Sequence, residues 1–418
     1  DPEDTTAQSA LENISSIDER WADFAELYEG AVAKDLPSDL MKALLHKLAS
    51  VYDAQLGQPD KAIACYQRAV EIDPENREAL DALEQLFQRA ENWSALLDVY
   101  RRKVEFEDDA DLRQGLRFKI AYLQEEMLQQ NPEAIATYNE ILADDDTNTK
   151  AIVALDRLYQ AQGNWGDLAE ILDRQLALAG DPDDMITLSL RLGDVRLHKL
   201  AQAGIAVEIY RRVFDYDPAN EHALAALETL LTNEEQQLVV AKILEPIYRQ
   251  TNEWAKLIQA YEIMVARSLD PAERIGLLHQ IGELYEIAGE QPEQAFEAIG
   301  RALRVEPGNE ETQRRLDSLA NQMGAFKQLV ELYESAIADI VDDQLSIQIL
   351  DKVAKIYETT LDDASSAAAS YNKILAIDPG NFAAIDALIE VHRRTNNFED
   401  LVAAVTRKAE MVDDVDDR

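Results

Sequence analysis

The feature that most constrains this chain is a register. Trp21, Trp93 and Trp165 stand 72 residues apart; after one interval of 89, Trp254, Phe326 and Phe398 follow, again 72 apart. A second series keeps the same phase: Asp73-Pro74-Glu75-Asn76, Asp217-Pro218-Ala219-Asn220, Glu306-Pro307-Gly308-Asn309 and Asp378-Pro379-Gly380-Asn381. Asp144-Asp145-Asp146-Thr147-Asn148 fills the remaining slot without its proline. Two independent markers in one phase define an internal repeat. Units that bury their apolar faces only against neighbours build a stacked array rather than separate globules.

Each unit reads as four amphipathic helices. In the first, Asp39–Leu56 places Leu44, Leu45, Leu48 and Tyr52 at helical spacing. Gly57-Gln58-Pro59 breaks that helix, and Pro59 suits the opening turn of the next, which carries Ala62, Tyr66, Ala69 and Val70 to Ile72. Asp73-Pro74 ends it, because a residue before proline avoids helical geometry. Asn76–Ala90 follows, and Asn92 caps a fourth helix with Trp93, Leu96, Leu97, Tyr100 and Val104 inward. The spans are a partial unit at 1–38, then 39–110, 111–181, 182–270, 271–342 and 343–418, the last including the start of a further unit. The longer interval has room for one more helix near 220–250: Ala223–Leu231 stops at Thr232-Asn233 and Glu234–Gln250 begins afresh, bent at Pro246. The spacing therefore predicts an all-α chain of 23 helices whose curvature changes midway.

Composition agrees and excludes much else. Hydrophobic residues make up 47%, enough for a large core, while only 15 glycines and 12 prolines interrupt 418 residues. Against 81 acidic side chains stand 40 basic ones, a net charge of −41 that repels nucleic-acid phosphates and anionic membrane surfaces. The acidity serves either solubility or the attraction of basic partners; the 25 arginines against 15 lysines are compatible with solubility in a saline habitat. No apolar run reaches membrane-spanning length. Cys65 alone forms no internal disulfide, which together with the lack of an export signal favours the cytoplasm. Asp1 is not an initiator methionine, so a periplasmic or extracellular location stays open.

Between the first two helices of every unit lies a recurring set of small residues: Ala49, Ala121, Gly193, Gly282 and Ala354 on the first helix, and Ala62, Ala134, Ala206, Ala295 and Ala367 on the second. One turn on come Tyr66, Tyr138, Tyr210, Ile299 and Tyr371, and Pro74, Pro218, Pro307 and Pro379 close the hairpin, with Asp146 departing. This set resembles the tetratricopeptide repeat. The second hairpins depart from it, with Leu96, Leu168, Leu257, Leu329 and Leu401 where the family prefers alanine, so alternate hairpins should differ in spacing. The doubled repeat, the Asn-Trp openings and the Leu-Glu-Pro-Ile-Tyr insertion are also similar to long tetratricopeptide arrays of deltaproteobacteria. The resemblance implies a right-handed α-solenoid, a superhelix whose concave wall is lined mainly by the first helices.

No chemistry-bearing motif stands behind an enzyme activity or a cofactor. Gly-x-Gly-x-x-Gly, the phosphate-binding Gly-Lys-Ser/Thr loop, His-Glu-x-x-His and Gly-x-Ser-x-Gly do not occur. His46, His198, His222, His279 and His392 have no close metal-ligand spacing. Cys65 reads as a small buried residue and the tryptophans as core. The runs Asp108-Asp109-Ala110-Asp111, Asp144-Asp145-Asp146 and Asp181-Pro182-Asp183-Asp184 read as helix caps rather than calcium loops.

Function then falls to binding. On the concave wall that the resemblance implies, the inward faces combine His46, Ser50 and Asp53 with Phe118, Tyr122 and Glu125, then Asp194, then His279, Glu283 and Glu286, and finally Asp351, Lys355 and Glu358. Such a wall is acidic with a few aromatics and favours a partner-protein segment carrying Lys or Arg; ordinary solvated positions are the alternative. A clamp for a peptide's C-terminal carboxylate, used by some family members, needs Lys and Asn. The matching pairs here are His46 and Ser50, Phe118 and Tyr122, Leu190 and Asp194, His279 and Glu283, Asp351 and Lys355, none of which supplies both. The chain also opens and closes within a unit: Asp1-Pro2-Glu3-Asp4 repeats the phase of Asp73-Pro74-Glu75-Asn76, and Asp413–Arg418 aligns with the start of a first helix. Either the chain is a segment of a longer protein or its ends pair head to tail into a rod or filament.

Overall fold

A computed structural model describes residues 4–17 and 20–416, without the side chains of residues 5 and 412–416. The opening Asp1-Pro2-Glu3 and the side chains of the closing acidic segment thus lie outside the described residues. Within them the chain forms 23 α-helices and no strand. Two helices lead: α1 (Thr5–Ile17) and α2 (Trp21–Val32). The first unit is α3 (Ser38–Ala54), α4 (Pro59–Ile72), α5 (Arg77–Arg89) and α6 (Trp93–Glu105); the second is α7 (Ala110–Tyr122), α8 (Asn131–Asp144), α9 (Thr149–Gln162) and α10 (Trp165–Leu178). The third has five: α11 (Pro182–Asp194), α12 (Ala203–Val213), α13 (Glu221–Leu230), α14 (Gln237–Thr251) and α15 (Trp254–Arg267). Then come α16 (Pro271–Glu283), α17 (Pro292–Val305), α18 (Glu310–Met323) and α19 (Phe326–Ile337), followed by α20 (Asp343–Thr359), α21 (Ala364–Ile377), α22 (Phe382–Arg394) and α23 (Phe398–Asp416). The chain divides into two bodies, Asp1–Ala201 and Gln202–Arg418, the division falling inside the third unit. Each body is an α-solenoid of consecutive helical hairpins, every helix packing on the next in sequence.

The marker residues are helix ends. Trp21, Trp93, Trp165, Trp254, Phe326 and Phe398 each open a helix. Asn76, Asn148, Asn220, Asn309 and Asn381 each accept a hydrogen bond from the backbone N–H three residues on, at 3.0–3.1 Å, and so cap α5, α9, α13, α18 and α22. Asp109 caps α7 by accepting from the N–H groups of Asp111 and Leu112, and Asp181 caps α11 by accepting from that of Asp183. The inserted α14 begins three residues later than its pattern predicts. Asn233 accepts from the N–H groups of Glu235 and Gln236, at 3.0 and 3.3 Å, and holds residues 234–236 in a turn first. From there the helix runs through Pro246 to Thr251.

The small-residue pairs are buried in all five units. In the second hairpins Leu96, Leu168, Leu257 and Leu329 are buried at the corresponding place. Every hairpin turn of the five units also contains one left-handed residue. The first hairpins use Gly57, Gln129, Ala201, Glu290 and Asp362; just before the last helix of each unit the left-handed residue is Glu91, Gly163, Asn252, Gly324 and Asn396. At three of these places the preceding helix widens into a π turn, at Leu123–Met127, Val195–Lys199 and Leu284–Ala288.

The tryptophans are only half-buried. Trp254 lies edge-on to Tyr285 with ring centroids 6.5 Å apart, and the Lys199 ammonium sits 5.0 Å from the centre of the Trp165 ring. Phe398, in the same register, is 67% exposed at the start of α23. At Trp165 and Trp254 the ring is covered in part by the segment that follows the next first helix.

Candidate interaction surface

The inner-wall candidates sort into engaged and free groups. His46 on α3 is half-buried, its ring edge-on to Tyr66 at 5.4 Å and its Nε2 buried without a hydrogen-bond partner among the described residues. Phe118 packs tilted against Tyr138 at 6.2 Å. His279 exchanges a 2.8 Å hydrogen bond between Nε2 and Thr312 Oγ1; burial, then the charge of Arg315, lowers its pKa and favours the neutral ring. Each of these three rings is engaged within its own unit.

The carboxylates divide the same way. Arg89 on α5 donates two hydrogen bonds to Asp53, at 2.8 and 2.7 Å. Arg394 on α22 stands at 3.6 Å from Glu358 in the same register, and Tyr371 donates to that carboxylate at 3.2 Å. Glu125 is the clearest departure from the sequence expectation: it is buried, takes an ion pair from Arg157 and accepts from Tyr138 at 3.3 Å, so it is not a ligand-facing acid. Burial and that neighbouring carboxylate push the Tyr138 hydroxyl up to about 12. Asp351 and Lys355 neutralise one another at 2.6 Å. Asp194 is half-buried on α11. The remaining candidates, Ser50, Tyr122, Glu283 and Glu286, are exposed. Each of these bonds runs within a single unit, so none of them joins the candidates into one constellation.

A second polar series went unread in the sequence. An acid on the third helix meets a base on the next unit's first helix: Glu12 with Lys47 at 3.4 Å, Glu84 with Lys119 at 3.0 Å, Asp156 with Arg191 at 2.5 Å and Asp317 with Lys352 at 2.6 Å. A tyrosine from the fourth helix donates to the same acid at Tyr100 to Glu84, 3.0 Å, and Tyr333 to Asp317, 3.2 Å. Tyr261 does so to Glu245 at 3.1 Å, where Gln280 replaces the base. The phase of 72, 72, 89 and 72 was the clue, but it is hidden by substitutions such as Leu172 for the tyrosine. The consequence is electrostatic. Many of the scarce basic side chains on first and third helices are taken up by internal carboxylates, while exposed acids such as Glu283 and Glu286 have no ion pair among the described residues.

Cys65 is half-buried beside Tyr66, and burial pushes its thiol up to about 11, away from the thiolate form. None of the described helices is long and apolar enough to cross a membrane.

Comparison with known proteins agrees with this architecture. Residues 43–76 and 151–186 match models of the tetratricopeptide repeat. Superkiller protein 3 of Schizosaccharomyces pombe is 26% identical over 158 residues, 37% of this chain and 11% of that protein, so the chain spans a small part of the relative's length. Among solved structures, a tetratricopeptide repeat protein from Parabacteroides merdae aligns over 66% of this chain and 98% of its own, with 14% identity and a TM-score of 0.26. MamA aligns over 42% of this chain and 92% of its own, with 16% identity and a TM-score of 0.24. With the small-residue pairs buried in every unit and residues 43–76 and 151–186 matching the repeat's models, the chain contains tetratricopeptide repeats.

Proposed function

We propose that the chain is a non-catalytic scaffold that holds basic or amphipathic segments of a partner protein against the acidic inner faces of its units. The observation that carries this reading is on α16 and the π turn that follows. Glu283 and Glu286 are exposed there beside Ile287, itself 70% exposed. An apolar side chain ringed by carboxylates offers one anchor and the orienting charge for a segment with alternating apolar and basic residues. Tetratricopeptide repeats as a class support protein–protein interaction. The test is fluorescence anisotropy with a labelled basic amphipathic peptide at low and high salt. Binding should weaken as salt screens the contact, and the Glu283→Gln/Glu286→Gln variant should bind roughly threefold to tenfold more weakly. Affinity that ignores both salt and the variant would overturn the reading.

A second reading, self-association into a structural rod, is favoured by exposed apolar faces on two helices. Phe398, Val402 and Val405 stand 67%, 64% and 46% exposed along α23, and Ile14 is 53% exposed on α1. Light scattering across concentration distinguishes the two. A species of 47.0 kDa at every concentration removes this reading, whereas growth that persists in high salt supports it.

A further inference from the structure

The repeat provides an internal control: where one unit departs from the others without need of the fold, the departure marks something other than folding. One such departure, a combination of three residues, lies in the first body. Phe106, after α6, stands in the register of Lys34, Leu178, Arg267 and Asp339. Leu112 on α7 stands in that of Leu40, Asp184, Glu273 and Leu345, and Gly115 in that of Ala43, Thr187, Gly276 and Gln348. The fold tolerates charged, polar or larger residues at each of these places elsewhere. Only here do an aromatic ring, a leucine and a glycine coincide.

Together they line a groove of about 430 Å³ between α5, the α6–α7 connection and α7. Leu80 is buried at its base, Phe106 and Leu116 are half-buried along it, and Leu112 is 57% exposed at its lip. A Cβ on Gly115 would meet no atom within 4 Å, so the glycine leaves the space open. The rim is acidic. Lys103 and Lys119 are taken up by Glu84 and Asp81, and Arg77 reaches Glu107 at 3.6 Å, while Glu75 and Asp111 border the groove with no cation paired to them among the described residues.

We propose that this groove seats a single leucine or phenylalanine side chain of a basic segment in a partner protein. The apolar floor takes the side chain out of water, and the carboxylates of Glu75 and Asp111 face the Lys or Arg residues on either side of it. This inference rests on the scaffold reading and sharpens it, naming an apolar anchor and its place.

The probes are two fluorescein-labelled peptides, Lys-Arg-Leu-Lys-Arg-Lys and the same peptide with alanine for leucine, measured by anisotropy against the full chain. The leucine peptide should bind about tenfold more tightly than the alanine peptide. Gly115→Gln, which introduces the residue already accepted at position 348, should abolish that ratio while leaving the alanine peptide unchanged. Leu112→Asn, at an exposed position, should reduce the ratio without disturbing the fold. Equal binding of both peptides, or a ratio that Gly115→Gln leaves intact, overturns the groove while the scaffold reading stands. Failure of both peptides to bind overturns the two together.

Discussion

Arg191 grips Asp156 with two parallel hydrogen bonds, Nη1 to Oδ2 at 2.7 Å and Nη2 to Oδ1 at 2.5 Å, and so ties the third helix of one unit to the first helix of the next. The Asp156 side chain keeps only 13% of its exposure, and Gln175 donates to it at 3.1 Å. The fork geometry of a guanidinium on a carboxylate holds the angle between successive helices as well as their contact. Asp156→Ala leaves a half-buried guanidinium with fewer partners and should cost about 2 kcal/mol. Urea unfolding of Asp156→Ala, Arg191→Met and the double variant measures it. The double variant should lose less than the sum of the singles, and strict additivity would mean the pair is not coupled.

Left-handed turns predict stabilising substitutions. Gln129, Glu290 and Asp362 hold φ of 54°, 51° and 51°, a region in which a Cβ costs about 1 kcal/mol and glycine nothing. Gly57 already occupies the equivalent place in the first unit, at φ 59°. Gln129→Gly should therefore raise stability by about 1 kcal/mol, less whatever the flexible unfolded chain gains. Gly163→Ala, at φ 72°, should lower stability by a similar amount. Thermal melts of both variants check the pair of opposite signs.

These two outcomes also separate what the sequence makes legible from what it does not. The repeat phase, the helix openings at Trp93, Trp165 and Trp254, and the buried alanines could be read because each is carried by a residue type with one physical job. The left-handed position could not, since Gln129, Ala201, Glu290 and Asp362 share no chemistry and only the backbone reveals them. The acid–base seam was hidden for a related reason: among 81 carboxylates, four in phase do not stand out. The surroundings of each candidate residue were not legible. Register places Glu125 and Glu286 at equivalent positions in their π turns, but it says nothing of the residue opposite, and Arg157 reaches one while the other is exposed.

The pH dependence of the seam follows from Glu84. Burial alone would raise its carboxyl, but hydrogen bonds from Lys103, Lys119 and Tyr100, with the Lys103 charge, outweigh burial and hold it below the ordinary value. A carboxyl with a depressed folded pKa contributes stability above its unfolded value of about 4.3 and loses it as pH falls through the lower folded value. Glu84→Gln should thus be less stable than the wild type by about 1 kcal/mol at neutral pH. That difference should be unchanged down to about pH 5 and shrink toward zero near pH 3. Urea midpoints of both proteins across this range provide the comparison. A difference that persists at the acid end would assign the loss to packing rather than charge.

Gly282 and Ile299 make the sharpest packing prediction. In three other units the first helix carries Ala49, Ala121 or Ala354 opposite a tyrosine, Tyr66, Tyr138 or Tyr371. Here the tyrosine is replaced by Ile299, branched at Cβ and 1% exposed, and the alanine by Gly282. A Cβ built on Gly282 would lie 2.6 Å from Ile299 Cδ1 and 2.9 Å from its Cγ1. A buried isoleucine has few other rotamers to adopt, so the usual gain of alanine over glycine in a helix, about 1 kcal/mol, is outweighed by overpacking of about 1–3 kcal/mol. Gly282→Ala should therefore destabilise the chain. Ile299→Val removes Cδ1 and should cost about 1 kcal/mol by itself. Introduced together they should be more stable than Gly282→Ala alone, because the closer of the two contacts, that with Cδ1, is removed and the alanine's helix preference remains. Thermal melts of the two singles and the double test this, and a double variant less stable than either single would show that the two helices are not held apart by this contact.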